Sequence, residues 1–259
     1  MKYYNQIKKP RSSLIFTCEH ASDVIPSEYS NLGLTIHELK YSKDLFDPGS
    51  LLLASDLAQD FNASLLYTKF SRLLIDANRF LGAETNKNNT YHAAALKTEL
   101  LIEDAKGERL VTIQGNKMEN LWNEETYRWD KYVSPYYRAI EKLAQQNLKN
   151  FGQVYIFQIH SFYPKYNGEV RKIDIGVIHN KLPLAKRLIY SMRNTTKLCI
   201  GDNEPWGMKA VGGGLLEPLQ KRRGISVIGL DINNKLLRKQ KDILRIKNIL
   251  ANAIRDMIF

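Results

Sequence analysis

Short continuous apolar runs, each bounded by polar residues, recur along this chain and constrain its fold more than any other feature. Runs of this length are typical of strands that are buried on both faces of a sheet. We interpret six of them as strands and a seventh as a weaker candidate. They are SLIFTC (13–18), SLLYT (64–68), RLLIDA (72–77), QVYIFQIH (153–160), KIDIGVIH (172–179) and ISVIGLDI (225–232), with ERLVTI (108–113) as the weaker one.

Segments with apolar residues three or four positions apart separate these runs and are predicted to be helices. They are residues 47–61, 124–149, 182–193 and 235–257. The first begins with Asp47 and a proline, so we favour Asp47 as the N-cap residue, with a role in the site as the alternative. Strands that alternate with helices predict an α/β fold, with a mixed, mostly parallel sheet and helices on both faces.

Length and composition agree with one domain over residues 1–259. Hydrophobic residues make up 44% of the chain and charged residues 25%, which permits a core of ordinary size. The apolar stretches are too short to span a bilayer, and the first residues lack the apolar segment of a secretory signal. Two cysteines are too few for a disulfide framework, so we expect a reduced, cytoplasmic protein.

The formal net charge of +11 raises the alternative of a nucleic-acid or membrane-surface partner. The basic residues are dispersed, however, and no zinc-finger or RNA-binding motif accompanies short basic runs such as residues 221–223. We therefore expect no membrane partner and no nucleic acid, and we expect a small anionic substrate. The oligomeric state is left open.

Chemically useful side chains lie at the ends of several apolar runs. Glu19 and His20 follow the first run, His160 and Asp231 lie at the ends of two others, and a fourth supplies Asp76. Any one of them is more often a turn or capping residue. Ligand sites of parallel sheets lie at the carboxyl ends of the strands, so together these side chains predict one crevice. Two histidines and a carboxylate are usual ligands of a catalytic zinc site.

Spacing favours His20 and Asp23 as ligands from one turn, since they are three residues apart. Glu19 is adjacent to His20, and neighbouring strand residues point to opposite faces. Glu19 therefore joins the ligands only if the strand has already ended, and otherwise orients a ligand from behind. Arg72 and Arg79 flank an apolar run; they are either surface residues or a grip for a substrate carboxylate.

These residues make the chain similar to the N-formylglutamate amidohydrolase family. The matching pieces are CEHASDVIP (18–26), FDPGS (46–50), SRLLIDANR (71–79), QIHSFYP (158–164) and LDINNKLLR (230–238). The resemblance implies a phosphorylase/hydrolase-like fold and hydrolysis of an N-formyl amide on an acidic amino acid by a divalent metal. DANR (76–79) and IHS (159–161) also resemble pieces of zinc carboxypeptidases.

The resemblance implies roles for individual residues. Arg72 would stabilise the oxyanion, and Asp231, where the family more often has Glu, would be the general acid/base. The candidate ligands of zinc, or of another divalent metal such as cobalt, are His20, Asp23, His160 and Glu19. The candidate substrate-binding residues are Arg79, Asn78, Ser161 and Asn203, the last in a predicted loop over residues 201–214.

The expected function is thus a metal-dependent amidohydrolase acting on a small N-formyl or N-acyl acidic amino acid, such as N-formylglutamate. Two alternatives stay open. One is a peptidase or amidase on larger, cell-wall-type peptides, and the other is a basic binding protein that has lost catalysis. His37, His92 and His179 lie outside the matching pieces and receive no role.

Overall fold

A seven-stranded sheet forms the centre of the computed structural model. The structure describes residues 2–9, 12–79, 81, 96, 98–116, 121–180, 183–206 and 214–258. The strands are β1 (Tyr4–Ile7), β2 (Leu14–Cys18), β3 (Ser64–Thr68), β4 (Glu99–Asp104), β5 (Gly107–Thr112), β6 (Val154–Phe162), β7 (Lys165–Tyr166), β8 (Glu169–Val170), β9 (Ile175–Ile178), β10 (Ile200–Asp202) and β11 (Ile225–Asn233).

The strand order in the central sheet is β1-β3-β2-β6-β11-β9-β10. The four neighbours β3, β2, β6 and β11 are parallel, and β10 is parallel to β9. Antiparallel pairing joins β1 to β3 and β9 to β11. Outside this sheet, β4 pairs with β5 and β7 pairs with β8 as two-stranded hairpins. The predicted mixed, mostly parallel sheet is confirmed.

Helices cover both faces of the sheet. They are α1 (Ile36–Lys40), α2 (Ser50–Asp60), α3 (Leu121–Arg128), α4 (Ser134–Phe151), α5 (Pro183–Thr195), α6 (Glu217–Gln220) and α7 (Gln240–Ile258), with a π-helical turn between α3 and α4. Alternate residues of β2 enter two different cores. Phe16 joins the core under α2, α5 and α7, whereas Ile15 joins the core under α4. The described helices do not include one with the length and apolar character needed to cross a membrane.

Two local predictions are wrong. Residues 72–77, predicted as a strand, form a loop with consecutive turns. The run is buried but not extended. Ser71 Oγ and Asp76 Oδ1 accept the backbone N–H groups of Leu73 and Asn78, and these hydrogen bonds stabilise the turns. Residues 207–213 of the predicted loop, and His92, lie outside the described residues.

The second wrong prediction is the N-cap of α2. The N-cap residue is Gly49 rather than Asp47, and it has a φ of 81°. A Cβ atom on Gly49 would lie 2.6 Å from Cβ of Leu237, so both the backbone conformation and the packing favour glycine. The side chain of Asp47 therefore does not cap α2.

Candidate metal centre and active site

The polar side chains predicted from the sequence lie mainly at the carboxyl edge of the four parallel strands. β2 ends at Cys18, so Glu19 and His20 lie in the turn beyond it. His160 of β6 and Asp231 of β11 are register partners, which places them side by side on one face of the sheet. The edge therefore collects residues from several separate segments, as expected for a parallel sheet.

His20, Asp47 and His160 form a buried group whose three ligand atoms lie within 4.8 Å of one another. Oδ2 of Asp47 is 3.2 Å from Nδ1 of His20 and 3.0 Å from Nδ1 of His160. Two imidazoles and a carboxylate suit zinc and similar divalent ions. Asp23, predicted as the carboxylate ligand, is exposed, and the structure brings Asp47 to the histidines in its place.

A second carboxylate lies behind each imidazole. Nε2 of His20 is 2.7 Å from Oδ1 of Asp76, and Nε2 of His160 is 3.3 Å from Oε2 of Glu19. A carboxylate beside Nε2 favours a proton there, which leaves the lone pair of Nδ1 available to a divalent ion held together with Asp47. The donor set therefore fits a divalent cation. Glu19 lies behind His160 in the orienting position and not among the three grouped ligand atoms, although the strand ends before it, which was the condition for a ligand role.

The electrostatics of the group agree with this assignment. Burial disfavours the imidazolium form of His160, but the carboxylates of Asp47 and Glu19 outweigh burial and raise the pKa of His160 to about 10. Burial acts to raise the pKa of Asp47, yet His20 and His160 hold it below its usual range. The carboxylates at this edge thus create a strong local preference for positive charge.

Asp47 is held by its own network of contacts. The backbone N–H of Ser161 donates to Oδ2 of Asp47 at 3.2 Å, and the Ser161 hydroxyl donates to the carbonyl of Pro48 at 2.8 Å. Nη1 of Arg72 lies 3.5 Å from Oδ1 of Asp47. Ser161, predicted as a substrate contact, therefore contacts the loop that carries Asp47.

The loop after β3 brings two arginines to the same edge. Nη2 of Arg72 donates to Oδ2 of Asp76 at 2.9 Å, and Nη1 of Arg79 donates to the carbonyl of Asn78 at 3.0 Å. Within the described part of the chain, Nε of each arginine is buried without a hydrogen-bond partner. Burial lowers the pKa of Arg79, and Arg72 adds to the effect despite the opposing charge of Asp76. These groups favour an anionic ligand.

Asn78 connects this loop to the buried group of His20, Asp47 and His160. Its Nδ2 lies 3.3 Å from Nε2 of His160, and its Oδ1 accepts a hydrogen bond of 3.1 Å from Nε2 of Gln158. Gln158 and His160 are two residues apart on β6 and so lie on one face. The amide of Asn78 is thus held at the crevice.

Asp231 and Asn203, predicted as acid/base and substrate contact, have different surroundings. Burial raises the pKa of Asp231, although His160 and the indole of Trp206 oppose the rise. Asn203 follows β10 with a φ of 55°, and its Oδ1 accepts the backbone N–H of His179 at 2.9 Å. Asp231 therefore lies at the crevice, whereas the contact shown by Asn203 is to the backbone at the end of β9.

Sequence reasoning missed Gln158 and Trp206 as parts of this site, gave Asp76 no role, and favoured a capping role for Asp47 over a site role. Three of these four residues stand in the pieces that carry the family resemblance, FDPGS, SRLLIDANR and QIHSFYP, and that was the available signal. Gln158 reads as an ordinary strand residue. Trp206 lies in a predicted loop, far from Asp231 in the chain, and no local pattern connects the two.

The sheet topology and its polar carboxyl edge define the chain as an α/β protein with a candidate site at the ends of its parallel strands. The model of the N-formylglutamate amidohydrolase family matches residues 12–238, and the chain therefore belongs to that family of hydrolases acting on amide bonds. No curated protein matches the chain significantly.

Solved structures share the fold. A gene product of Agrobacterium tumefaciens superposes with a TM-score of 0.80 at 24% identity, over 100% of this chain and 95% of that one. N-formylglutamate amidohydrolase from Ralstonia eutropha superposes with a TM-score of 0.68 at 14% identity, over 99% of this chain and 97% of that one. At such identities the superpositions establish the common architecture.

Proposed function

We propose that the chain is a metal-dependent amidohydrolase that cleaves the amide bond of a small N-formyl or N-acyl acidic amino acid, such as N-formylglutamate. The observation that carries this proposal is the buried group of His20, Asp47 and His160 with carboxylates behind both rings. These three residues would hold zinc, or cobalt in its place. When bound, such an ion supplies a Lewis acid for the carbonyl oxygen and lowers the pKa of water.

Glu19 and Asp76 orient the two imidazoles in this mechanism. Asp76 holds a proton on Nε2 of His20 through a hydrogen bond of 2.7 Å and so keeps Nδ1 available as a ligand atom, and the charge of Glu19, 3.3 Å from Nε2 of His160, favours the same arrangement there. Asp47 takes the ligand position that the sequence suggested for Asp23. Ser161 acts through Asp47, because its backbone and hydroxyl contacts both hold the loop around that residue.

Asp231 is the proposed general acid/base. It removes a proton from the attacking water and delivers a proton to the leaving nitrogen of the amide, so the free amino acid is released. Burial raises its pKa, which makes its carboxylate a stronger proton acceptor than an exposed aspartate. Its place beside His160 in the sheet brings it to the crevice in which the amide would bind.

Arg72, Arg79 and Asn78 bind the charged parts of the substrate. Arg72 stabilises the negative charge that develops on the carbonyl oxygen. Arg79, whose Nε is buried without a partner among the described residues, binds the side-chain carboxylate of the acidic amino acid together with Asn78. The net charge of +11 also favours anionic substrates, and we place the reaction in the cytoplasm.

A substrate screen tests this proposal. Purified protein with added Zn²⁺ or Co²⁺ is offered the N-formyl and N-acetyl forms of glutamate, aspartate, leucine and alanine. We expect the highest kcat/KM for N-formyl acidic substrates. Full metal occupancy without turnover of any of them would contradict the proposed activity.

The variant Arg79→Met tests the substrate class. Removal of a bidentate carboxylate contact is expected to raise KM for the acidic substrates by about 10- to 100-fold. The matched control is the N-formyl leucine reaction, for which the variant and the wild type should differ much less. An equal change for both substrates would show that Arg79 does not recognise the side-chain carboxylate.

A further inference from the structure

Asp231 has a hydrogen-bond partner that comes from outside the matching motifs. The indole Nε1 of Trp206 donates to Oδ2 of Asp231 at 2.8 Å. Within the described residues, no group donates a hydrogen bond to the other carboxylate oxygen, Oδ1. Asp231 is thus held through one oxygen and presents the second, at the position next to His160 in the sheet.

Trp206 is itself held in place by two other segments. The ring of Phe162, at the end of β6, packs edge to face against the indole, with 5.5 Å between the ring centres. The guanidinium of Arg171, which follows β8, lies 4.3 Å from the centre of the indole ring on its face. An aromatic edge contact and a cation–π contact together restrict the orientation of the indole.

The turn that carries Trp206 lies close against the sheet. Gly176 of β9 is the register partner of Asp231, and a Cβ atom on Gly176 would lie 2.1 Å from the carbonyl oxygen of Glu204. A Cβ atom on Gly201 would lie 2.8 Å from Cβ of Glu204. Two glycines therefore permit the backbone of this turn to approach the strand beside Asp231, which brings the indole within reach of the carboxylate.

We propose that Trp206 is a positioning residue that sets the orientation of the Asp231 carboxylate in the reaction. This inference rests on the proposed function, in which Asp231 is the acid/base. An aspartate carboxylate rotates about a single bond, and its oxygens must lie within hydrogen-bond reach of the attacking water to act. The N–H of Trp206 binds Oδ2, so Oδ1 stays directed at the crevice.

The variant Trp206→Phe tests this role, because it keeps an aromatic ring and removes the N–H donor. Loss of one hydrogen bond to a charged group predicts a fall in kcat of about 10- to 100-fold, with KM changed less than about twofold. In the Asp231→Asn background the same substitution should cause no further fall in kcat. Tyr190→Phe, at an exposed aromatic position of α5, is the matched control and should retain wild-type kcat and KM.

A second replacement separates the hydrogen bond from packing. Incorporation at position 206 of an analogue of tryptophan with sulfur in place of the indole N–H retains the ring size. We expect the same fall in kcat with unchanged thermal stability. Wild-type kcat in this variant, or an equal fall in kcat with and without Asp231, would overturn the positioning role.

The outcomes also distinguish the two proposals. If the wild type hydrolyses N-formyl amino acids and the two position-206 variants match it in kcat, only the role of Trp206 is refuted. If the wild type with bound zinc hydrolyses none of the substrates, the proposed function and the positioning role are both refuted.

Discussion

Two apolar strands of this protein carry a similar local sequence but deliver their histidines to different places. QIH (158–160) lies in β6 and VIH (177–179) ends β9. Both histidines are buried beside a carboxylate, since His160 is 3.0 Å from Asp47 and His179 is 2.8 Å from Asp202. The side chain of Asp47 is 5% exposed, however, whereas that of Asp202 is 44% exposed.

Strand direction explains the difference. β6 is parallel to β2 and β11, so its C-terminal half reaches the edge at which their C-terminal ends also lie. β9 is antiparallel to β11, and its last residue, Ile178, pairs with Gly229. His179 therefore continues away from Asp231 along the sheet, by roughly 10 Å at about 3.3 Å per residue. In this sheet the histidine of β6, which is parallel to β2 and β11, reaches their shared carboxyl edge, and the histidine after β9, which is antiparallel to β11, does not.

Removal of the two histidines should show the largest difference. His160→Ala is expected to reduce bound zinc from about one ion per chain to a small fraction and to reduce kcat/KM by more than about 10³-fold, because a ligand is lost. His179→Ala should retain both zinc and activity. Metal analysis after dialysis, with steady-state kinetics, provides the test. Equal zinc content in the two variants would refute the metal centre.

The next largest difference is expected between the carboxylates near the two histidines, Asp231 and Asp202, in their effect on kcat. Asp231→Asn is expected to lower kcat by about 10²- to 10⁴-fold while the bound metal is retained, since only proton transfer is affected. Asp202→Asn, beside His179, should lower kcat by less than about twofold. Steady-state kinetics at saturating substrate measure kcat of both variants. A wild-type kcat in Asp231→Asn would exclude it as the acid/base.

The carboxylate behind His20 should have a smaller effect. Asp76→Asn weakens the orientation of the imidazole, and we expect metal affinity to fall by about 10- to 100-fold. The exposed Asp23, changed to Asn, is the matched control and should leave metal affinity unchanged. Competition with a chelating dye measures both affinities. A larger loss in Asp23→Asn would make Asp23 the carboxylate ligand after all.

The last prediction concerns the pH dependence of zinc binding, where the change over a single pH unit is small. The carboxylates of Asp47 and Glu19 outweigh burial and raise the pKa of His160 to about 10, so its imidazole is protonated at neutral pH in the absence of metal. Zinc must displace that proton, and its affinity should therefore increase with pH up to about 10, by at most about tenfold per pH unit for one proton.

Calorimetry in buffers with different ionisation enthalpies should detect about one proton released on zinc binding near pH 7. His179→Ala should show the same release. A zinc affinity that is constant between pH 6 and pH 9 would contradict the assignment of His160 as a ligand.

Most of the fold could be predicted because apolar runs report burial locally. The runs at residues 64–68 and 225–232 are strands, and α7 was expected from its apolar positions. The run at residues 72–77 shows the limit of this signal. It is equally apolar and equally buried, but side-chain oxygens of Ser71 and Asp76 accept its backbone N–H groups, so the segment forms turns. An apolar run indicates burial more firmly than it indicates an extended backbone.

The candidate site could be predicted in part. His20, His160 and Asp231 were expected at the carboxyl edge because each lies at the end of an apolar run, and the structure places all of them there. Asp47 was interpreted as a helix cap because Asp-Pro before a helical pattern is a strong local signal. Gly49 takes that position instead, and the Asp47 side chain turns to the histidines.

The sequence by itself determined the class of fold, the family and the residue types of the site, because apolar periodicity and motif residues are readable along the chain. Only the tertiary structure decided which carboxylates meet the histidines, that Trp206 reaches Asp231, and that His160 rather than His179 lies at the crevice. The physical reason is that these contacts depend on strand direction and on the paths of loops. Residues far apart in the chain are brought together only when the sheet is formed.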